Sequence, residues 1–256
     1  MSRYSLLCVS VCLALAPFSA NAAEWGNLSG RFVYDGKAPA PVAIQPDKDP
    51  QVCAKNPLFE ETLVVDPKGG LANVVVYVRT KKVAIHPDYE ALAAQPVVID
   101  NRDCKFQPHV TGMWTKQTLV LKNSDPVGHN SKIEAFANAG INPLIPAMGS
   151  VEQKFALPEA VPMAVSCNIH PWMRGYLAVR PDPYFAISAG DGSFEIKNLP
   201  AGTQLEFQVW HEAVGYLKGI SGGKIAADAR GRFEMTLAAG DNNVGEFKVK
   251  PAAFKK

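Results

Sequence analysis

Turn-forming residues divide this sequence into short runs, and this punctuation restricts the folds open to it. The 256 residues include 20 Gly and 20 Pro, and short apolar runs between turn signals favour strands over helices. The strands predicted in this way are 28–34, 72–78, 97–101, 118–121, 163–166, 176–179, 205–210 and 244–249. Only residues 90–94 suggest a turn of helix. Regularly spaced short strands indicate an all-β sandwich or barrel.

The first 22 residues predict a secretory signal peptide. Arg3 supplies the positive charge, residues 5–17 form an apolar run, and Ala-Asn-Ala at 20–22 is a small-x-small cleavage site. An uncleaved N-terminal anchor is the alternative, although the apolar run is too short to span a bilayer comfortably. We therefore expect a periplasmic or secreted protein with no membrane span after cleavage of this peptide.

The charge balance argues against a nucleic-acid partner. The formal net charge is only +2, and the Lys and Arg residues are scattered along the chain. A basic patch or stripe, which is the usual footprint of nucleic-acid binding, is not visible in the sequence.

The cysteine count is odd once the predicted signal peptide is removed. Cys8 and Cys12 belong to that peptide, which leaves Cys53, Cys104 and Cys167. In an oxidising compartment, an odd count means that one thiol is free or that one cysteine has a task other than pairing. A disulfide between Cys53 and Cys104 is the predicted pairing. Two free thiols, or a pairing that involves Cys167, are the alternatives.

The sequence Cys167-Asn-Ile-His170-Pro-Trp-Met173 brings three metal-ligand types into one short loop. Thiolate and thioether sulfur together with imidazole select copper, and two His, one Cys and a weak axial Met form the electron-transfer type of site. The loop lacks one His. His129 follows the predicted strand 118–121 on a loop, and it is the candidate for that position.

Both segments resemble the cupredoxin, or type 1 blue copper, family. The run from 123 to 130, Asn-Ser-Asp-Pro-Val-Gly-His-Asn, is similar to the loop that carries the first His ligand, and the Cys-x-x-His-x-x-Met spacing with Pro171 after the His resembles the amicyanin ligand loop. The resemblance covers residues 105–180. It implies one copper ion bound by His129, Cys167, His170 and Met173.

The resemblance also implies how the site meets solvent. In most such sites the second loop histidine, here His170, presents its edge to solvent, and electrons enter there. Pro171 and Trp172 would then form an apolar docking face around it, with a core position for Trp172 as the alternative. Asn130, next to His129, is a candidate to tie the two ligand loops together.

Additional β segments flank the ligand region. The predicted divisions are an N-terminal β region at 24–103, a copper domain at 104–180 and a C-terminal β module at 184–256. The run from 191 to 202 resembles carboxypeptidase-regulatory-like β modules, and exported proteins with this layout resemble those called methylamine-utilisation-like. The predicted fold class is all-β, with a cupredoxin-like Greek-key β-sandwich flanked by or inserted into a second β-sandwich module. Whether the first and last regions form one module stays open.

The predicted function is single-electron transfer rather than catalysis. The chain has no His-x-His pair of the kind that multicopper oxidases need, and its ligand loop carries one Cys, whereas a dinuclear copper centre needs two. The expected partners are redox proteins such as a c-type cytochrome or a periplasmic dehydrogenase. A copper-handling protein and a structural β module are the alternative functions. A zinc site and a Cys–His nucleophile pair are the alternative chemistries.

Overall fold

The computed structural model describes residues 24–223 and 225–254, so the predicted signal peptide lies outside the described residues. Helices are short, and the turn of helix predicted at 90–94 is present. None of the described helices has the length and apolar character needed to cross a membrane. The helical elements are α1 (Pro50–Cys53), α2 (Glu90–Ala93) and 3-10 turns at Pro87–Tyr89 and Pro251–Phe254.

Strands form the rest of the regular structure, and each predicted strand overlaps an observed one. The all-β prediction is therefore confirmed. The strands are β1 (Trp25–Tyr34), β2 (Ala43–Ile44), β3 (Leu58–Phe59), β4 (Val75–Val78), β5 (Val97–Arg102), β6 (Lys105–Gln107), β7 (Val110–Trp114), β8 (Leu119–Asn123), β9 (His129–Asn130), β10 (Lys132–Ile133), β11 (Leu144–Ile145), β12 (Ser150–Gln153), β13 (Met163–Ser166), β14 (Arg174–Arg180), β15 (Phe185–Ile187), β16 (Ser193–Pro200), β17 (Gln204–His211), β18 (Gly215–Tyr216), β19 (Arg232–Thr236) and β20 (Gly240–Val249).

The strands between β5 and β14 build a cupredoxin-like sandwich, which we call the central sandwich. One sheet has the order β10-β13-β14-β7 and the other the order β12-β8-β5-β6. Two neighbouring pairs run parallel, β14 with β7 and β5 with β8. Alternate residues point inward along the strands, as Leu119 and Leu121 do in β8 and Met163 and Val165 do in β13. These side chains join one buried apolar cluster between the two sheets.

A second sandwich, the outer sandwich, combines strands from both ends of the described chain. Its sheets have the orders β16-β1-β20 and β15-β4-β17-β18, with β19 also paired to β17. Its apolar core includes stacked aromatic rings: Phe32 stacks on Phe247 with ring centroids 5.3 Å apart, and Phe207 stacks on Phe233 at 4.9 Å. Strands on both sides of the central sandwich in sequence therefore share one core, while the three-part division of the chain stays a prediction.

The two sandwiches meet across a small apolar cluster. Val75 and Tyr77 of β4 and Trp210 of β17 come from the outer sandwich, and Val110 of β7 and Ala178 of β14 come from the central one. Successive side chains of a strand point to opposite faces of the sheet. One face of β7 and β14 therefore packs into the central core, and the other packs against the outer sandwich. The ligand loops lie at strand ends of the central sandwich, one after β8 and one between β13 and β14.

Candidate metal centre

Three of the predicted ligands meet at one end of the central sandwich. Ring nitrogens of His129 and His170 and the sulfur of Cys167 all lie within 4.8 Å of one another. The two histidines are 0% exposed and Cys167 is 3% exposed. The two imidazole rings lie 4.5 Å apart between centroids. Residues far apart in sequence thus place two imidazoles and a thiol around one point.

The ligand loop is closed by its own backbone. The Cys167 N–H donates to the Met173 carbonyl at 3.3 Å, and the Met173 N–H donates to the His170 carbonyl at 2.9 Å. The flanking residues Ser166 and Arg174 are paired across β13 and β14. Met173 is 1% exposed and packs in the core of the central sandwich. The loop therefore returns Met173 to the start of the loop, beside Cys167, with its thioether buried.

Asn123 shapes the loop that carries His129. Its amide Nδ2 donates to the carbonyls of Val127, Ile145 and Pro146 at 2.8, 3.1 and 3.1 Å. Asn123 is 0% exposed, so these hydrogen bonds satisfy its own buried amide group. His129 itself is paired with Ile145 between β9 and β11. The loop is thereby fixed against a neighbouring strand.

A carboxylate holds the outer nitrogen of His129. Oδ2 of Asp125 lies 2.9 Å from Nε2, and because an ionised carboxylate only accepts, Nε2 carries the proton and donates it. The same carboxylate accepts the backbone N–H groups of Asp103 and Cys104 at 2.8 and 2.9 Å. Both of those residues have positive φ, 57° and 52°, so their successive N–H groups point at one anion.

The outer nitrogen of His170 is held in the same way from another part of the chain. Nε2 lies 3.0 Å from Oδ2 of Asp49, and the Trp172 ring contacts the imidazole edge-on at 5.2 Å. Because His170 is 0% exposed, the expectation of a solvent-facing second histidine is wrong for this chain. The physical reason is that the segment containing Asp49 lies over that edge.

A disulfide fixes that segment, and the pairing of Cys53 with Cys104 is confirmed. Their Cα atoms are 5.3 Å apart, and Cys167 is the free cysteine among the described residues. Cys104 also accepts a hydrogen bond at its carbonyl from the Trp172 indole N–H at 3.2 Å. One disulfide residue therefore contacts the ligand loop directly.

The donor set fits a soft metal ion. The Nδ1 atom of His129 is buried and has no hydrogen-bond partner of ordinary length, although the Cys167 sulfur lies close by. A buried nitrogen without a partner is rare in folded proteins, and a metal ligand satisfies it. Nδ1 of His170 lies 3.7 Å from the same sulfur. One thiol and two imidazoles with outer nitrogens bound to carboxylates suit copper, since structural zinc sites usually carry more Cys.

The electrostatics favour a thiolate at this point. Burial raises the pKa of the Cys167 thiol, but the adjacent imidazoles of His129 and His170 outweigh it and lower this pKa to about 6. Burial lowers the pKa of His129, but Asp125 and Cys167 raise it to about 9. Both shifts share one cause, the closeness of the Cys167 sulfur to the two imidazoles. Metal binding needs the thiolate and displaces a proton from the imidazole.

Asn130 links the two ligand loops, as expected. Its Oδ1 accepts the backbone N–H of Asn168 at 2.8 Å and the thiol of Cys167 at 3.4 Å. Its Nδ2 donates to Asn142 at 2.6 Å. These bonds fix the sulfur relative to the strand that carries His129.

A second group of potential ligands shares His129. Cys104, Asp125 and His129 also have donor atoms within 4.8 Å of one another. Cys104 is bonded to Cys53, so its sulfur is not available as a thiolate. This group therefore supports His129 rather than forming a separate centre.

Comparison with known proteins adds partial structural likenesses. No family model matches the chain, and no curated protein matches it. A copper-containing nitrite reductase from Thermus scotoductus SA-01 aligns over 41% of this chain and 25% of its own, at 19% identity and TM-score 0.31. A reduced Cu(I) amicyanin variant aligns over 41% of this chain and 98% of its own, at 20% identity and TM-score 0.30. A purple cupredoxin from Nitrosopumilus maritimus aligns over 33% of this chain and 98% of its own, at 21% identity and TM-score 0.28. At these scores the nature of the centre has to be inferred from its donor atoms.

The two carboxylates that hold the histidines, Asp125 and Asp49, are not among the residues predicted from the sequence. Asp125 precedes His129 by four residues within the resembling loop, and that spacing was a usable signal. Asp49 is separated from His170 by 121 positions, and its neighbourhood in sequence gave no hint of the contact. The four predicted ligands stay the candidate set, with three donor groups gathered and Met173 buried next to them.

Proposed function

We propose that this chain is an exported, mononuclear type 1 copper protein that carries single electrons, with His129, Cys167, His170 and Met173 as ligands. The observation that carries the proposal is the buried, unpartnered Nδ1 of His129 beside the Cys167 sulfur. Copper held by two His, one Cys and an axial Met exchanges one electron between its two oxidation states. The proposal includes an amicyanin type of ligand loop, from Cys167 to Met173.

The burial of the ligands favours electron transfer over catalysis. None of His129, Cys167, His170 and Met173 is more than 3% exposed, which leaves no room for a substrate to reach the donor atoms. Asn130, Asp125 and Asp49 accept hydrogen bonds from Cys167, His129 and His170, and these bonds hold the donors before metal arrives. Ligands fixed in this way need little rearrangement when the charge on the site changes.

The partner and the location are part of the same proposal. A c-type cytochrome or a periplasmic dehydrogenase fits a near-neutral carrier, since the net charge of +2 gives little long-range steering. The outer sandwich, taken as a carboxypeptidase-regulatory-like module, would serve in docking or stability. The disulfide suits an oxidising compartment.

Redox cycling in the presence of a chelator separates a carrier from a copper-delivery protein. The copper-loaded protein is reduced with ascorbate and reoxidised with ferricyanide over several cycles, with a Cu(I) chelator present throughout. The visible band is expected to return to its starting intensity with one copper retained per chain. Transfer of the copper to the chelator on the first reduction would favour metal handling instead.

A further inference from the structure

A segment outside both sandwiches lies over the candidate centre. This covering segment, residues 43–61, consists of β2, α1 and β3, with β2 and β3 paired antiparallel. Cys53 and Leu58 are 2% and 3% exposed and join the core of the central sandwich. Asn56 donates to Asp103 at 3.0 Å, and Lys105 approaches Glu61 at 3.4 Å. The segment is therefore anchored by apolar, polar and covalent contacts.

Asp49 occupies an unusual place in this segment. It stands at the N-cap of α1, where an aspartate side chain usually accepts a backbone N–H of the first turn. Here the side chain makes no such bond, and the backbone is left-handed at φ 46° and ψ 45°. A left-handed non-glycine residue is held there by its surroundings. The carboxylate instead reaches His170 Nε2 at 3.0 Å.

The cover, rather than depth in the fold, hides His170. The neighbouring Ile169 is 37% exposed, and Pro171 is exposed as well. The loop thus runs along the surface, while the imidazole between these residues is 0% exposed. The side chain of Asp49 is 35% exposed, so it stands between the imidazole and solvent.

The disulfide connects the two parts of the chain that hold the carboxylates on His129 and His170 in place. Cys53 closes α1, three residues after the helix begins at Pro50. Its partner Cys104 donates its N–H to Asp125, the carboxylate on His129. The position of Asp49 on one histidine and that of Asp125 on the other are therefore set by one covalent link.

We propose that Asp49 is a positioning residue for the metal centre, and that the covering segment closes the His170 edge to solvent. This inference rests on the proposed function. The carboxylate accepts the Nε2 proton, which leaves Nδ1 as the only ring nitrogen free to bind metal. Electrons consequently do not enter through a solvent-exposed His170 edge in this protein.

The test compares Asp49→Ala with Asp47→Ala. Asp47 lies on the same segment and is exposed. Its replacement therefore removes the same charge but leaves the hydrogen bond between Asp49 and His170 in place. In copper-free protein, 15N NMR reports the tautomer of His170 and the exchange of its Nε2 proton with water. That exchange is expected to accelerate at least tenfold in Asp49→Ala and to stay unchanged in Asp47→Ala. In a parallel titration, the Cu(II) affinity is expected to fall by roughly 10–100-fold in Asp49→Ala alone.

A third variant and the wild type make the outcomes distinct. Asp49→Asn keeps an acceptor oxygen and should retain slow exchange, which separates loss of the bond from loss of the fold. Equal exchange and equal affinity in Asp49→Ala and Asp47→Ala would overturn the role of Asp49. Failure of the wild type to bind copper would overturn the proposed function instead, while the NMR comparison on copper-free protein would still decide whether Asp49 covers His170.

Discussion

The pKa of a buried histidine is shifted in opposite directions in the two sandwiches. In the outer sandwich, burial lowers the pKa of His211 to about 4, and the ring packs edge-on against Phe254 at 5.3 Å. In the central sandwich, burial acts in the same direction on His129, but Asp125 and Cys167 raise its pKa to about 9. Burial alone thus makes a neutral packing histidine, whereas a carboxylate and a thiol convert it into part of a charged centre.

The surroundings of the two histidines differ accordingly. The outer core is apolar and contains stacked aromatic pairs at Phe32–Phe247 and Phe207–Phe233. The ligand end of the central sandwich instead buries a network of polar side chains that includes Asn123, Asp125 and Asn130. Buried polar groups cost stability unless they are bonded, so such a network at one place points to a task for it.

The largest expected effect separates stability from metal binding. Phe207→Ala removes a fully buried ring from the outer core, and we expect it to lower the free energy of unfolding by about 3–5 kcal/mol. Copper stoichiometry and the visible band should be unchanged in the folded variant. Urea unfolding and a Cu(II) titration measure the two quantities.

The matched substitution lies in the central sandwich. Phe106 is 1% exposed and contacts the region of Gly175, just after the ligand loop. Phe106→Ala should cost a similar amount of stability and also weaken copper binding. If Phe207→Ala weakened copper binding as much as Phe106→Ala, the claim that copper binding depends on the central sandwich and not on the outer one would be wrong.

A pH-dependent prediction concerns the joint between the sandwiches. Burial lowers the pKa of His109, but its hydrogen bond to Glu212 of the outer sandwich and the nearby charge of Glu61 outweigh this and raise the pKa above its ordinary value. A raised pKa in the folded state contributes stability that is complete below the unfolded value of about 6.5 and is lost as pH rises through the folded value. We expect His109→Gln to cost about 1.5–3 kcal/mol at pH 6 and less at pH 9.5, as urea unfolding would show. An equal cost at both pH values would mean that His109 contributes only by packing.

The smallest expected effect concerns the buried thioether. Met173→Leu nearly preserves volume, so its cost in stability should stay below about 1.5 kcal/mol. Leucine offers no lone pair to Cu(II), so the reduction potential is expected to rise by about 60 mV, which corresponds to a tenfold change in relative affinity for one electron. Cyclic voltammetry of both proteins measures this shift. An unchanged potential would remove Met173 from the ligand set.

The predictable part of this molecule was local in sequence. Gly and Pro punctuation was enough to predict the all-β class, and the spacing from Cys167 to Met173 places three donor types in one loop whatever surrounds it. Cysteine arithmetic also gave the Cys53–Cys104 bond. Each of these signals depends on neighbouring residues or on counting, and needs no knowledge of tertiary contacts.

The missed part depends on contacts between distant segments. The burial of His170 could not be predicted, because the covering segment reaches it from 121 positions away. The shared core of the outer sandwich has the same origin, since β1 pairs with β16 and β20 from the far end of the chain. Strand patterns predict that a strand exists, but several partners satisfy the same alternation of buried and exposed residues.

The most direct test of the central claim is a Cu(II) titration followed by visible absorption, on the wild type and on Cys167→Ser. We expect an intense thiolate-to-copper band in the wild type that saturates at one equivalent, and no such band in the variant. A wild type without this band, or a Cys167→Ser variant that keeps it, would contradict the assignment of Cys167 as a copper ligand.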